Sequence, residues 1–259
     1  MNKLSYGLKG SAAVISGGTS GIGLAAAELM LLDGARVFIL GRSAERGADA
    51  VQLLESRTGQ RAVYIACDVS CIESCQRAAT QIKEQLAGDS LDILVNSAGV
   101  YMEQRLERVT EADYADIMDV NVKGTLFLTK AMYELMRDSS NVPSIINIAS
   151  DAGISGNYGC PVYCASKGAI VSLTKALALD MASSVRVNCV CPADIDTPLL
   201  QKQLTPDCGY SIEDMAEAYP LGRIGRAEEI AHVICSLASP ANSFMTGSIV
   251  AVDGGLTAK

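Results

Sequence analysis

The chain contains no tryptophan, only three phenylalanines and a single histidine, His232. One histidine removes several chemistries at once. Imidazole-built zinc sites and Ser-His-Asp nucleophiles both need histidine among suitable partners. His232 stands alone in Glu228-Glu229-Ile230-Ala231-His232-Val233-Ile234, a pattern that reads as helix surface. Basic residues are also scarce, 21 against 29 acidic, for a net charge of −8. A nucleic-acid partner would need a basic face, so that class is set aside. No apolar run approaches the roughly 18 residues of a membrane span. The first residues, Met1-Asn2-Lys3-Leu4-Ser5-Tyr6-Gly7, lack the apolar stretch of a signal peptide. The expectation is a cytoplasmic protein with no membrane partner. Only seven prolines are spread over 259 residues, and no Pro/Gly/Ser linker, internal repeat or low-complexity stretch divides them.

What is present is a chain long enough for one large α/β domain with a substantial core. The nine cysteines, an odd number, fit a reducing compartment where thiols act as small hydrophobes. Cys67, Cys71 and Cys75 are spaced by four, but the further ligands a zinc site requires are not nearby, and no metal is expected.

Short apolar runs rich in β-branched residues fall at 12–16, 36–40, 62–67, 91–95, 144–149, 185–190 and 248–252. Continuous rather than alternating apolar character suits strands buried on both faces. Helical patterns lie between them at 21–33, 44–58, 72–87, 110–137, 161–181 and 227–238. Such alternation predicts a single-domain, Rossmann-type α/β fold over residues 1–259, with about seven parallel strands in a doubly wound sheet and helices on both faces. One segment breaks the rhythm. Residues 193–226 form a long connection with an apolar side of Leu199, Leu200, Leu204, Met215 and Tyr219. A connection of that length reads as a functional lid.

The first strand ends in Ser16-Gly17-Gly18-Thr19-Ser20-Gly21-Ile22-Gly23-Leu24 and a helix follows at once. Glycine lets the backbone turn sharply and approach a ligand, and a helix N-terminus offers N–H groups to a pyrophosphate. Dinucleotide binding is the expectation. The tip of the second strand, Gly41-Arg42-Ser43, carries no carboxylate for a ribose 2′-hydroxyl. Arg42 can fork onto a 2′-phosphate and Ser43 can add a hydroxyl, which favours NADP(H) while leaving NAD(H) open. Further along, Tyr163-Cys164-Ala165-Ser166-Lys167 places a phenol and an ammonium on one helical face. At roughly 4 Å and an effective dielectric of about 20, their attraction is on the order of 4 kcal/mol. The ammonium is therefore expected to favour the phenolate and bring Tyr163 into range as a general acid/base.

With the glycine turn and the Tyr–Lys pair in this order, the whole chain resembles the short-chain dehydrogenase/reductase family, in its subtype of about 250 residues. The family's Thr-Gly-x3-Gly-x-Gly turn appears from Ser16-Gly17 to Gly23, its adenine-contacting pair as Asp68-Val69, and its Asn-Asn-Ala-Gly as Asn96-Ser97-Ala98-Gly99. Asn121 matches the helix asparagine, Ser150 the catalytic serine, and Pro192-Ala193-Asp194-Ile195-Asp196-Thr197 the Pro-Gly-x-Ile-x-Thr motif. Val252-Asp253-Gly254-Gly255 is also typical. The resemblance implies catalysis by Asn121, Ser150, Tyr163 and Lys167. It implies cofactor contacts from Gly17, Thr19, Ser20, Gly21, Ile22, Gly23, Arg42, Ser43, Asp68, Val69, Asn96, Ala98, Gly99, Tyr163, Lys167, Pro192, Ile195 and Thr197. In that picture Ser150 holds the substrate oxygen, Tyr163 moves its proton, Lys167 holds the cofactor ribose, Asn121 anchors a water, and Ile195 and Thr197 meet the carboxamide. Three departures stand out: Ser16 for Thr, Ser97 for the second Asn and Ala193 for Gly, none of which removes a catalytic group.

The implied reaction joins a secondary alcohol and a ketone by hydride transfer. The apolar lid residues suggest a hydrophobic small molecule such as a hydroxysteroid or alicyclic alcohol. A 3-oxoacyl-[acyl-carrier-protein] reductase is an alternative, disfavoured by Asp138-Ser139-Ser140-Asn141 and Ala182-Ser183-Ser184 where a carrier would meet basic residues. A sugar or polyol dehydrogenase is left open by Asp194, Asp196 and Asp207. A non-catalytic nucleotide sensor is the alternative of another class. The family usually assembles as a homotetramer, or a homodimer, through its two long helices, and Ala165, Gly168, Ala169, Ser172 and Ala176 would permit close contact there. Cys160 and Cys164 bracket Tyr163; Cys164 reads as a packed helix residue and Cys160 as the one facing the pocket, so alkylation is expected to slow turnover and cofactor to protect.

Overall fold

A computed structural model describes residues 5–204 and 211–258. Nine strands run in chain order as β1 (Ala12–Ser16), β2 (Arg36–Gly41), β3 (Val63–Ala66), β4 (Ile93–Asn96), β5 (Ser144–Ile148), β6 (Arg186–Pro192), β7 (Ile195–Asp196), β8 (Gly225–Arg226) and β9 (Ile249–Val252). The α-helices are α1 (Gly21–Leu32), α2 (Ala44–Thr58), α3 (Ile72–Leu86), α4 (Glu111–Met118), α5 (Thr125–Met136), α6 (Pro161–Asp180), α7 (Pro198–Gln201), α8 (Ile212–Glu217) and α9 (Ala227–Ala238). Seven strands form one parallel sheet in the order β3-β2-β1-β4-β5-β6-β9, while β7 and β8 pair separately. The seven apolar runs of the sequence are these seven strands, each end shifted by no more than two residues.

Continuous apolar strands demand cover on both faces, and the core divides accordingly. Ile15, Val37 and Ile39 pack with α1, α2 and α9 on one face. Val14, Phe38, Leu40 and Leu94 pack with α3 and α5 on the other. Adjacent residues serve opposite faces because strand side chains alternate. The strand order reverses between β1 and β4, where Ser16 pairs with Asn96. In open α/β sheets the crevice at the carboxyl ends of such a pair is where ligands bind.

Two departures from the sequence reading position the site. The helix expected over 110–137 is not a single α-helix. It divides into α4 and α5 around a π-helical stretch, Asp119–Gly124, whose wider turn carries Asn121. Hydrophobic periodicity does not distinguish the two geometries, and π-turns recur at functional sites. The connection over 193–226 holds β7, α7, α8 and β8, and Asp207 lies outside the described residues. Helix α6, at 20 residues, is long and apolar enough to cross a membrane by length and composition. Here its Ser166, Lys167, Ile170, Thr174 and Ala178 are buried within the fold.

Candidate active site

The carboxyl ends of β1, β2, β4, β5 and β6 open into one cleft of about 460 Å³. Its floor at β1 is the glycine turn. Gly17 adopts φ +66°, and a Cβ there would meet the Ala98 backbone at 3.0 Å. A Cβ at Gly23 would stand 2.5 Å from the Gly17 carbonyl, so α1 can start this close to β1 only without a side chain. Ser20 precedes α1 with no side-chain cap, and the first turn carries no acidic residue. Its leading N–H groups therefore face the cleft as uncapped donors beneath a positive helix end, suited to a phosphate group. Ser16 braces the turn: its Oγ accepts the Ser97 and Ala98 N–H groups, each at 3.1 Å.

At the β2 end Arg42 and Ser43 line the cleft, joined by Arg46 from the first turn of α2. Ser43 caps α2 by accepting the Arg46 N–H. Among the described residues neither arginine has an ion-pair partner, which leaves two free guanidiniums at this end of the cleft. Uncapped donors at α1 and free guanidiniums around the start of α2 suit a dinucleotide.

At the other end Ser150, Tyr163 and Lys167 converge on the same cleft. Lys167 is buried, its Nζ donates to the Ile148 carbonyl at 3.0 Å, and it lies 5.6 Å from the Tyr163 ring centroid. Burial lowers the Lys167 ammonium to about 8, with Cys189 and Cys191 working the other way. The Tyr163 phenol departs from the sequence expectation. Burial drives it well above its ordinary value, Ser150 works against that, and Asp151, Cys160 and Asp194 add to it. Burial is the largest cause, and the three acidic neighbours reinforce it. The Tyr101 ring stands edge-on to Tyr163 at 4.8 Å.

Most of the expected residues line the cleft: Gly17, Thr19, Ser20, Gly21, Ile22, Arg42, Ser43, Asp68, Val69, Ala98, Gly99, Ser150, Tyr163, Lys167, Pro192, Ile195 and Thr197. Three do not. Gly23 packs beneath the turn. Asn96 is buried and donates to Thr129 Oγ1 and Asn147 Oδ1, so it ties β4 to α5 and β5 rather than touching a ligand. Asn121 stands behind the wall: its Oδ1 accepts from Val100 N–H and its Nδ2 donates to Val100 O and Ser166 Oγ. A Cβ at Gly99 would stand 3.4 Å from Asn121 Oδ1 and 3.6 Å from Lys167 Nζ, so Asn121 and Lys167 flank the same spot.

The sequence reading missed Arg46, Tyr101, Asp151 and Asn157, all of which line the cleft. Arg46 could have been found from its place three residues beyond the Ser43 cap; the others carry no local signal. Asp151 is buried, accepts the Ser150 hydroxyl at 2.6 Å and is held on its other oxygen by Asn157 Nδ2 at 3.1 Å. Asp194 is raised by burial, and the Asp151 charge adds to this while the Tyr219 hydroxyl at 2.6 Å opposes it. The cysteines are the reverse of expectation. Cys160, the residue before α6, is buried and Cys164 is partly exposed, and neither lines the cleft.

Comparison with known proteins identifies the family. A family model described as enoyl-(acyl carrier protein) reductase matches residues 17–257. A 3-oxoacyl-[acyl-carrier-protein] reductase of Chlamydia muridarum is 34% identical over 99% of this chain and 100% of its own length. A tropinone reductase homolog of Datura stramonium is 34% identical over 97% of this chain and 94% of its own. The solved structure of a short-chain dehydrogenase/reductase described as a glucose/ribitol dehydrogenase, from Brucella melitensis, superposes with a TM-score of 0.88 at 31% identity, covering 98% of this chain and 99% of its own. The chain belongs to the short-chain dehydrogenase/reductase family of oxidoreductases.

Proposed function

We propose that the protein is an NADP(H)-dependent oxidoreductase interconverting a secondary alcohol and a ketone. The observation that carries this reading is the convergence of Ser150, Tyr163 and Lys167 on the cleft that also holds the glycine turn and Arg42. Arg42 and Arg46 hold the 2′-phosphate, with NAD(H) as the weaker cofactor. The bound nicotinamide supplies or accepts the hydride. Tyr163 gives its hydroxyl proton to the carbonyl oxygen as the alcohol forms, and takes it back in the reverse direction. The raised Tyr163 phenol keeps its proton near neutrality, the form that donates a hydrogen bond to the substrate oxygen. Lys167 and Asn121 act behind Tyr163, the lysine toward the ribose hydroxyls.

The connection over 193–226 acts as a lid, with Leu199 and Leu200 turned to the cleft. They support a substrate with an apolar ring, such as a hydroxysteroid or alicyclic alcohol. A sugar or polyol is the second reading, supported by Asp151, Asn157 and Asp194 at the reacting end. For assembly we propose a homotetramer, supported by the exposed Leu126 on α5 and by Leu179 with Ala165, Ser172 and Ala176 on α6. A panel of alcohols and ketones, followed through NADPH and NADH absorbance in parallel, tests the function. Turnover should appear with NADPH, and Tyr163→Phe should lower it at least 100-fold with nucleotide binding nearly intact. Equal turnover by the Phe variant would remove the assignment.

A further inference from the structure

The sulfur atoms of Cys160 and Cys164 stand 3.8 Å apart, in contact across the start of α6. The Cys164 N–H closes the first helical turn onto the Cys160 carbonyl at 2.9 Å. A four-residue helical step separates two Cα atoms by about 6 Å, inside the roughly 4.4–6.8 Å that a disulfide spans. Cys160 has φ −140° and ψ 52°, outside the helical region, so its side chain is the one able to swing toward its neighbour. A second pair, Cys189 and Cys191, has its sulfurs 3.9 Å apart, but both residues are 0% exposed inside β6 and no oxidant reaches them. Cys164 is partly exposed, so the pair at α6 is open to solvent on one side only.

This pair also adjoins the reacting end of the cleft. Both thiols donate to the Asn157 carbonyl, at 3.7 and 3.8 Å, and Cys164 Sγ accepts the Asn157 N–H at 3.4 Å. Asn157 Nδ2 holds Asp151 at 3.1 Å, and both residues line the cleft. On the other side Cys160 is hydrogen-bonded by Tyr101, whose ring stands edge-on to Tyr163 at 4.8 Å.

We propose that Cys160 and Cys164 form a reversible disulfide, a redox modification site through which a hydroperoxide switches off the adjoining reaction site. The exposed Cys164 reacts first: its thiolate attacks the peroxide, the O–O bond breaks, and a sulfenic acid and an alcohol or water result. The Cys160 sulfur then attacks the Cys164 sulfur, the S–O bond breaks, and the departing hydroxide takes the Cys160 proton as water. Two thiols and one peroxide become one disulfide, one alcohol (or water) and one water, with the two electrons passing from sulfur to the peroxide. Bridging removes both thiol hydrogens, and with them both bonds to the Asn157 carbonyl. Asn157, Asp151 and Tyr101 then shift around Tyr163. The loss of turnover rests on the alcohol/ketone reading above; the bridge does not.

The test treats the full-length enzyme with hydrogen peroxide. Tryptic cleavage gives a peptide of residues 138–167 whose only cysteines are these two. It should become lighter by two hydrogens and take no iodoacetamide until dithiothreitol is added. Turnover should fall at least about tenfold, the scale of slightly misplaced reacting groups, and return with dithiothreitol. Cys160→Ser should form no bridge and take dimedone at Cys164. Cys164→Ser should keep its own turnover through the same treatment. Two thiols still open to alkylation, or Cys164 carried on to sulfinic acid beside a free Cys160, overturns the proposal. A bridge formed at unchanged turnover overturns the switch. Where the serine variants do not fold, peptide mass and recovery of the wild type decide. Absence of any Tyr163-dependent turnover overturns the underlying reading, while peptide mass still decides the bridge.

Discussion

Lys167 Nζ lies 5.6 Å from the Tyr163 ring centroid and donates to the Ile148 carbonyl at 3.0 Å. The ammonium is thus held within the fold by a main-chain oxygen, with burial lowering it from 10.5 to about 8. Between those two values the unfolded chain binds more protons than the folded one, so stability rises with pH across that window. Below about pH 8 the whole penalty is present, roughly 3 kcal/mol for a shift of this size. Lys167→Met should therefore raise the melting temperature at pH 7 in protein without added nucleotide. The gain should shrink toward pH 10.5 while turnover is lost at every pH. Paired melts at pH 7 and pH 10 check it; an equal gain at both would show that Lys167 is not buried as a cation.

Cofactor choice is assigned to two guanidiniums. Arg42→Ala should weaken NADPH about 10- to 30-fold in KM, the scale of a charge-assisted pair, and change NADH less than about threefold. Arg46→Ala should act in the same direction, more weakly, because Arg46 enters from the helix rather than from the strand tip. Steady-state kinetics with both nucleotides read the outcome, and equal losses for the two would place the 2′-phosphate elsewhere.

Ser16 serves two backbone donors at once, the N–H groups of Ser97 and Ala98. Ser16→Ala leaves both without that partner, at a cost of about 2 kcal/mol or more. Thermal unfolding should fall by roughly 4–8 °C, and NADPH affinity should drop with it. Ser16→Thr should retain both. A melting temperature unmoved by the alanine would mean that water replaces the hydroxyl.

Cys160 and Cys164 differ in reactivity. Burial foremost, then Cys164, pushes the Cys160 thiol up to about 12, and it is 2% exposed. Iodoacetamide should label Cys164 well before Cys160, since the thiolate is the nucleophile. Label on Cys164 displaces Asn157, whose N–H it accepts, and through it Asp151. Turnover should fall in step with Cys164 labelling, and Cys164→Ala should keep its rate under the same treatment. Peptide mass mapping against residual activity decides it.

The parts of the site legible in the sequence were those encoded by short spacing. The glycine turn after β1, Arg42 at the tip of β2 and the four-residue step from Tyr163 to Lys167 each follow from one strand or one helix. Asn96 misled because adjacency in a motif does not say which way a strand residue faces: Asn96 turns into the core, while Ser97 and Ala98 face the cleft. The π-turn at Asp119–Gly124 was hidden because its apolar pattern reads as ordinary helix.

The sequence by itself determined the strand–helix alternation, and with it the parallel sheet, the crevice at β1 and β4, and most of the motif residues that line it. Apolar runs and glycines act locally, so their consequences can be read along the chain. Only the tertiary structure decided the electrostatics. The Tyr163 phenol is raised rather than lowered because burial, with Asp151, Cys160 and Asp194 adding to it, disfavours the phenolate. The Ser150 proton points to Asp151 because Asn157, held by Cys160 and Cys164, locks that carboxylate beside it. Desolvation and proton direction depend on every group packed around an atom, and no spacing along one chain encodes that.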